Sequence, residues 1–120
     1  MTHFASMSVR SIHEGLENKS FSAMEIAQES LERVKRTNDE IHAFLEITED
    51  LALKKAAELD AAIAQGSFGE CGVLAGVPVA FKDNMNQEGT HTTCSSKMLE
   101  NYLSPYEATC VAKTVGAGAI

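Results

Sequence analysis

Apolar residues recur at helical spacing in two stretches of the first half of the chain. Behind Ser22, the residues Met24, Ala27, Leu31 and Val34 fall on one face through about Arg36, while Glu25, Gln28, Glu29, Glu32, Arg33 and Lys35 take the other. Ser22 with Glu25 three positions on has the form of a capping box, which sets where that helix begins. Ala52, Ala56, Leu59 and Ile63 predict a second helix, opened by Thr48 and stopped at Gly66. Between the two, Ile41, Ala43, Leu45 and Ile47 recur at every second position, which predicts one face of a strand. A shorter pattern predicts another helix around Val9 to Leu16.

The texture changes near residue 66. Charged residues concentrate in residues 1–65, whereas most glycines and both prolines come later. The first part reads as a helical surface layer and residues 66–120 as the beginning of a core. A glycine-rich turn from Gly66 to Gly76 leads into an apolar run, Val77 to Phe81, that predicts a buried strand. Pro78 removes one ladder donor, so this strand lies at an edge or has its first residues outside the pairing. Gln87 to Ser96 is a hydroxyl-rich loop, followed by a short helix near Lys97 to Tyr102, a turn at Ser104-Pro105 and a helix from about Glu107 to Val115.

Composition narrows the function classes. At 120 residues the chain is at most one domain with a modest core. A formal charge of -7 argues against this segment gripping a nucleic-acid backbone, where a basic stripe is expected. Cys71, Cys94 and Cys110 form an odd set without paired spacing, which fits reduced thiols in a cytosolic protein. The opening MTHFASMSVRSIHEGLENKS has no apolar signal core, and no window approaches a membrane span, so the expected location is the cytoplasm, with no membrane contact.

The candidate chemistry begins at LAGVPVAFKDN, Leu74 to Asn84, where an apolar run ends abruptly in Lys82, Asp83 and Asn84. A lysine held at the inner end of a core strand is pushed toward its neutral form and can accept a proton near pH 7. The plainer reading is a solvated turn at a strand end. His91 and Cys94, with Cys71 as a third, fall short of the ligand set a zinc site needs, so no metal is expected. Ser95, Ser96 and Lys97 are adjacent, and adjacent side chains point in different directions, which disfavours a nucleophile and base pair. His3, His13 and His42 are read as surface or half-buried side chains.

In order along the chain, LAGVPVAFKDN, GTHTTCSSKMLEN and PYEAT resemble the start of the amidase signature family. The resemblance continues through SAMEIAQESLERV and IHAFLEI to the final AGAI. It implies an α/β fold: an N-terminal helical layer, 1–65, then the first strands of a large mixed sheet in 66–120, incomplete because these residues span roughly the first quarter. Enzymes of this family work by a lysine and two serines. The lysine matches Lys82, and both serines belong to a glycine- and serine-rich segment downstream of residue 120, so the chain alone is expected to be inactive. Asp83, Asn84, Thr92, Thr93, Ser95 and Ser96 take supporting roles by the same resemblance.

The TTCSSKMLEN block resembles most the glutamine-hydrolysing branch, whose members work beside subunits B and C of a tRNA-dependent amidotransferase. That implies release of ammonia from glutamine, for conversion of Glu-tRNA(Gln), held mainly by the partner subunit, to Gln-tRNA(Gln). No cofactor is implied in the glutamine-hydrolysing subunit itself; ATP and magnesium belong to the partner. A general small-amide amidase of the same fold and a non-catalytic fragment stay open as alternatives. Phe81, Thr114 and Gly116 depart from the family pattern, which has an aliphatic residue, leucine and alanine there. The glycine costs its helix up to about 1 kcal/mol.

Overall fold

The computed structural model describes residues 4–120, so His3 lies outside the described residues. Four α-helices follow one another: α1 (Val9–Glu17), α2 (Ala23–Ile41), α3 (Glu49–Ala64) and α4 (Thr109–Gly116). Short 3-10 turns occur at Phe4–Ser6, Phe68–Glu70 and Lys97–Leu99.

The first two helices start where local chemistry satisfies their free N–H groups. Ser8 and Ser11 form a reciprocal cap on α1, and Ser22 and Glu25 do so on α2: the Ser22 N–H donates to Glu25 Oε2 at 2.7 Å and the Glu25 N–H to Ser22 Oγ at 3.1 Å. Two more N–H groups at the start of α2, from Ala23 and Met24, donate to the two carboxylate oxygens of Asp60 at 2.7 and 3.0 Å. An anion at a helix N-terminus also meets the positive end of the helix dipole. Asp60 lies late in α3 and Glu49 at its start, and Glu49 pairs with Lys35 late in α2 at 2.7 Å, so the two helices run antiparallel. Thr48 precedes α3, as its sequence predicts.

The core sits where these helices meet the turn before residue 77. Ile12 and Leu16 of α1, Ala23, Ile26 and Ala27 of α2, Ala56 and Leu59 of α3, and Ala75 are buried together with Phe4. Gly15 leaves room for the Phe21 ring, which occupies the place a Cβ would take, and that ring meets Phe4 edge-on at 4.9 Å.

The expected α/β class is corrected by this architecture: among the described residues there are helices and turns but no strand, and the single bridge joins His91 to Leu103. Two predicted strands fail for separate reasons. The first, Ile41 to Ile47, loses its start to α2, which runs five residues past Arg36 and ends on His42 in the left-handed region, φ 52°. Asn38 then takes up the Phe44 backbone, donating to its C=O at 2.9 Å and accepting from its N–H at 2.8 Å, so a side chain meets the demand a ladder would have met. Ile41 and Leu45 stay exposed, at 65% and 71%. The second, Val77 to Phe81, has one rung only. Ile120 donates to the Val77 C=O at 2.9 Å and accepts from the Val79 N–H at 3.0 Å, and no second segment flanks it among the described residues. Pro78, which has no N–H, is the residue this rung brackets. The sequence-predicted helix at Lys97 to Tyr102 is a 3-10 turn, Lys97–Leu99, and the last helix is α4.

Candidate functional site

Residues 78–83 form one wall of a groove of about 1090 Å³. Leu31 and Val34 of α2, with Phe44 and Ile47 from the link to α3, also line it. Lys82 lies at this groove with its side chain exposed. Among the described residues no hydrogen bond or ion pair reaches its amine. The backbone around it is ordered instead: the Met85 N–H closes a turn on the Lys82 C=O at 2.9 Å.

The Asp83 carboxylate is engaged by the hydroxyl-rich loop. Its Oδ1 accepts from the Thr93 N–H at 2.8 Å and its Oδ2 from the Thr93 hydroxyl. The Cys94 N–H donates to the Asp83 C=O at 2.9 Å, and the Ser95 N–H donates to Thr93 Oγ1 at 3.2 Å. Cys94 and Ser95 are both left-handed, φ 50° and 60°, a conformation that residues other than glycine adopt at a cost. The hydroxyl and N–H of Thr93 hold the Asp83 carboxyl below the usual carboxylate range, outweighing its partial burial.

A carboxyl with a depressed folded pKa adds stability above its unfolded value, near 3.8, and that stability is lost as pH falls through the folded value. Below about pH 4 the chain should therefore lose stability more steeply than its Asp83→Asn variant. Acid titrations followed by circular dichroism check this, and superimposable curves would show the contact to be energetically silent.

The other sequence-predicted residues divide. Thr92 is buried and its hydroxyl lacks a partner among the described residues, while its N–H donates to the Tyr102 C=O at 3.2 Å. Ser96 caps the 3-10 turn through the Met98 N–H at 3.3 Å. Ser95 and Asn84 are exposed. The structure thus brings Asp83 and Thr93 together and leaves Asn84 apart. Sequence reasoning missed Glu46, whose Oε2 accepts from the His91 N–H at 2.8 Å and whose Oε1 lies 3.3 Å from His91 Nδ1. Forty-five positions separate the two residues, and no local pattern announces such a pair. Among the described residues no three His, Cys, Asp or Glu side chains converge as metal ligands. Burial, and after it Glu70, pushes the Cys71 thiol up, whereas Cys94 and Cys110 are exposed. No helix of the described residues is long and apolar enough to cross a membrane.

An apolar run ending in a lysine, its neighbouring carboxylate clasped by a threonine ten residues on, is set within a stretch, residues 25–120, that matches the amidase family, and the chain belongs to that family. It is similar to the A subunit of glutamyl-tRNA(Gln) amidotransferase from Nostoc punctiforme, 46% identical over 113 residues, which are 94% of this chain and 23% of that protein. The same subunit from Carboxydothermus hydrogenoformans is 46% identical over 114 residues, 95% of this chain and 23% of its own length. The chain therefore spans about a quarter of the length of these relatives. Among solved structures, the peptide amidase of Stenotrophomonas maltophilia superposes with a TM-score of 0.88 at 28% identity, over 98% of this chain and 24% of that one. A protein of a vestigial complex described as revealing the evolutionary origins of an s-triazine catabolic enzyme gives 0.88 at 30% identity, over 95% and 25%.

Proposed function

We propose that this chain is the N-terminal quarter of the glutamine-hydrolysing subunit of a glutamyl-tRNA(Gln) amidotransferase and that it contributes the proton acceptor, Lys82. The observation that carries the reading is the 46% identity to that subunit over nearly the whole chain, in a segment that presents an unpaired lysine at a groove. The identity to the peptide amidase, 28%, supports the family without favouring its substrate.

The reaction needs a hydroxyl nucleophile that this chain does not supply. A serine from the downstream part attacks the side-chain amide carbon of glutamine, and its proton passes through a second serine to the Lys82 amine. Collapse of the tetrahedral adduct breaks the C–N bond, the proton goes to the leaving nitrogen, and ammonia departs. Water then cleaves the acyl-serine to glutamate. Only the unprotonated amine can begin this sequence. Subunits B and C are the partners this reading carries, with ATP and magnesium used by the partner that activates Glu-tRNA(Gln).

Ammonia release tests the assignment. Residues 1–120, purified alone, should release none from glutamine, because the nucleophile is absent. The same residues joined to the downstream three quarters of the Nostoc punctiforme relative should release it catalytically. Turnover by the 120-residue chain itself, lost on Lys82→Ala, would overturn the reading.

A further inference from the structure

We propose that Asp83 is a positioning residue for Lys82, tying the lysine's backbone to the turn at residues 93–96 so that the otherwise unanchored amine is presented toward the groove. The inference rests on Lys82 being the proton acceptor, as read above.

Three observations carry it. Lys82 has no side-chain partner among the described residues, so its backbone alone fixes where the side chain starts at the groove. Asp83, its immediate neighbour, is held from both ends: the carboxylate accepts from the Thr93 N–H and hydroxyl, and the backbone carbonyl oxygen accepts from the Cys94 N–H. The turn that supplies these donors holds two consecutive non-glycine residues, Cys94 and Ser95, in the left-handed region. Such conformations persist where surrounding bonds over-determine them, and here the Cys94 N–H ends on the Asp83 carbonyl oxygen and the Ser95 N–H on Thr93 Oγ1, the hydroxyl that itself donates to the Asp83 carboxylate.

A carboxylate suits this position. Both of its oxygens face donors, and an ionised acid accepts at both. Asparagine can keep the Thr93 N–H only by reversing the second bond, its NH₂ donating to Thr93 Oγ1, and it loses the charge that strengthens both. The low carboxyl pKa keeps Asp83 ionised across the neutral range, so the clasp does not titrate where the enzyme works.

The test uses the completed enzyme, residues 1–120 joined to the downstream part of the Nostoc punctiforme relative, with glutamine as substrate. A lysine displaced by about 1 Å loses proton transfer rather than substrate binding, so Asp83→Asn should lower kcat about 100-fold while KM for glutamine stays within about threefold. Thr93→Val removes the hydroxyl but keeps the N–H and should lower kcat about tenfold. Thr93→Ser restores the hydroxyl and should recover kcat to within about threefold of wild type. Wild-type kcat in Asp83→Asn, with Lys82→Ala inactive, overturns the positioning role and leaves the proton acceptor standing. Activity in Lys82→Ala overturns both. If the asparagine variant fails to fold, the valine and serine pair decides: equal kcat in the two, or a loss confined to KM, marks Asp83 and Thr93 as scaffold only.

Discussion

Lys82→Ala in the completed enzyme should cut glutamine hydrolysis by about 10⁴-fold, and Lys82→Arg should be nearly as damaging. A positioned general base contributes about 10² to 10⁴ in rate, and a lysine that also takes the nucleophile's proton sits at the upper end. Arginine keeps the positive charge and much of the side-chain length. Its guanidinium stays protonated in proteins, so it cannot accept the serine proton. The pair of variants therefore separates two roles for one side chain. Initial rates of ammonia release are the measurement, and an arginine variant with most of the wild-type rate would make Lys82 a structural cation.

The largest structural effect is expected far from the lysine in sequence, at Gly118. Two backbone segments cross there without side chains between them: the Leu74 N–H donates to the Ala117 C=O at 2.8 Å and the Gly76 N–H to the Gly118 C=O at 3.2 Å. A Cβ at Gly118 would collide with the Cys71 carbonyl oxygen and stand 2.9 Å from the Ala75 Cα, and its φ of 94° is one that glycine alone adopts readily. Backbone atoms cannot yield as a flexible side chain can. Gly118→Ala should destabilise the chain by on the order of 3 kcal/mol, from strain and overpacking together, against a total of about 5 to 15 for a domain. Gly116, two residues earlier, has nothing within 4 Å of where a methyl would stand and an ordinary φ. Gly116→Ala, at the end of α4, should be neutral or gain up to about 1 kcal/mol. Urea unfolding of the two variants decides it, and a Gly118→Ala loss under about 0.5 kcal/mol would contradict the close crossing. The crossing also matters to the site, because it sets Ile120 beside Val77 and Val79 at the groove wall.

What could be read from the chain follows the range of the interactions concerned. The starts of α1, α2 and α3 were legible because a helix is closed by bonds within a few residues: the Ser22 and Glu25 cap needs no distant partner. Strands are different, since alternation states which face would be buried and says nothing of whether a partner is within reach. Ile41 to Ile47 has the alternation and no partner among the described residues, and the Asn38 amide holds the Phe44 backbone in its place. Val77 to Phe81 meets one residue, Ile120, and stops at one rung. At the site, Lys82 and Asp83 stood out in the sequence as polar residues closing an apolar run. That Thr93, among several hydroxyls, would be the one to meet Asp83 depends on how the loop of residues 85–92 returns, which no short pattern encodes. The Glu46 and His91 contact is farther out of reach for the same reason.

On the proposed reading, Lys82 serves ammonia release and nothing downstream of it. The completed subunit, assembled with its B and C partners, ATP, magnesium and Glu-tRNA(Gln), can be offered glutamine or free ammonium as the nitrogen source, and formation of Gln-tRNA(Gln) followed for wild type and Lys82→Ala. The variant is expected to lose conversion with glutamine by about 10⁴-fold and to keep conversion with ammonium near wild type, because on that reading only the supply of ammonia needs a base at residue 82. Equal loss with both nitrogen sources, or undiminished conversion with glutamine, would contradict it.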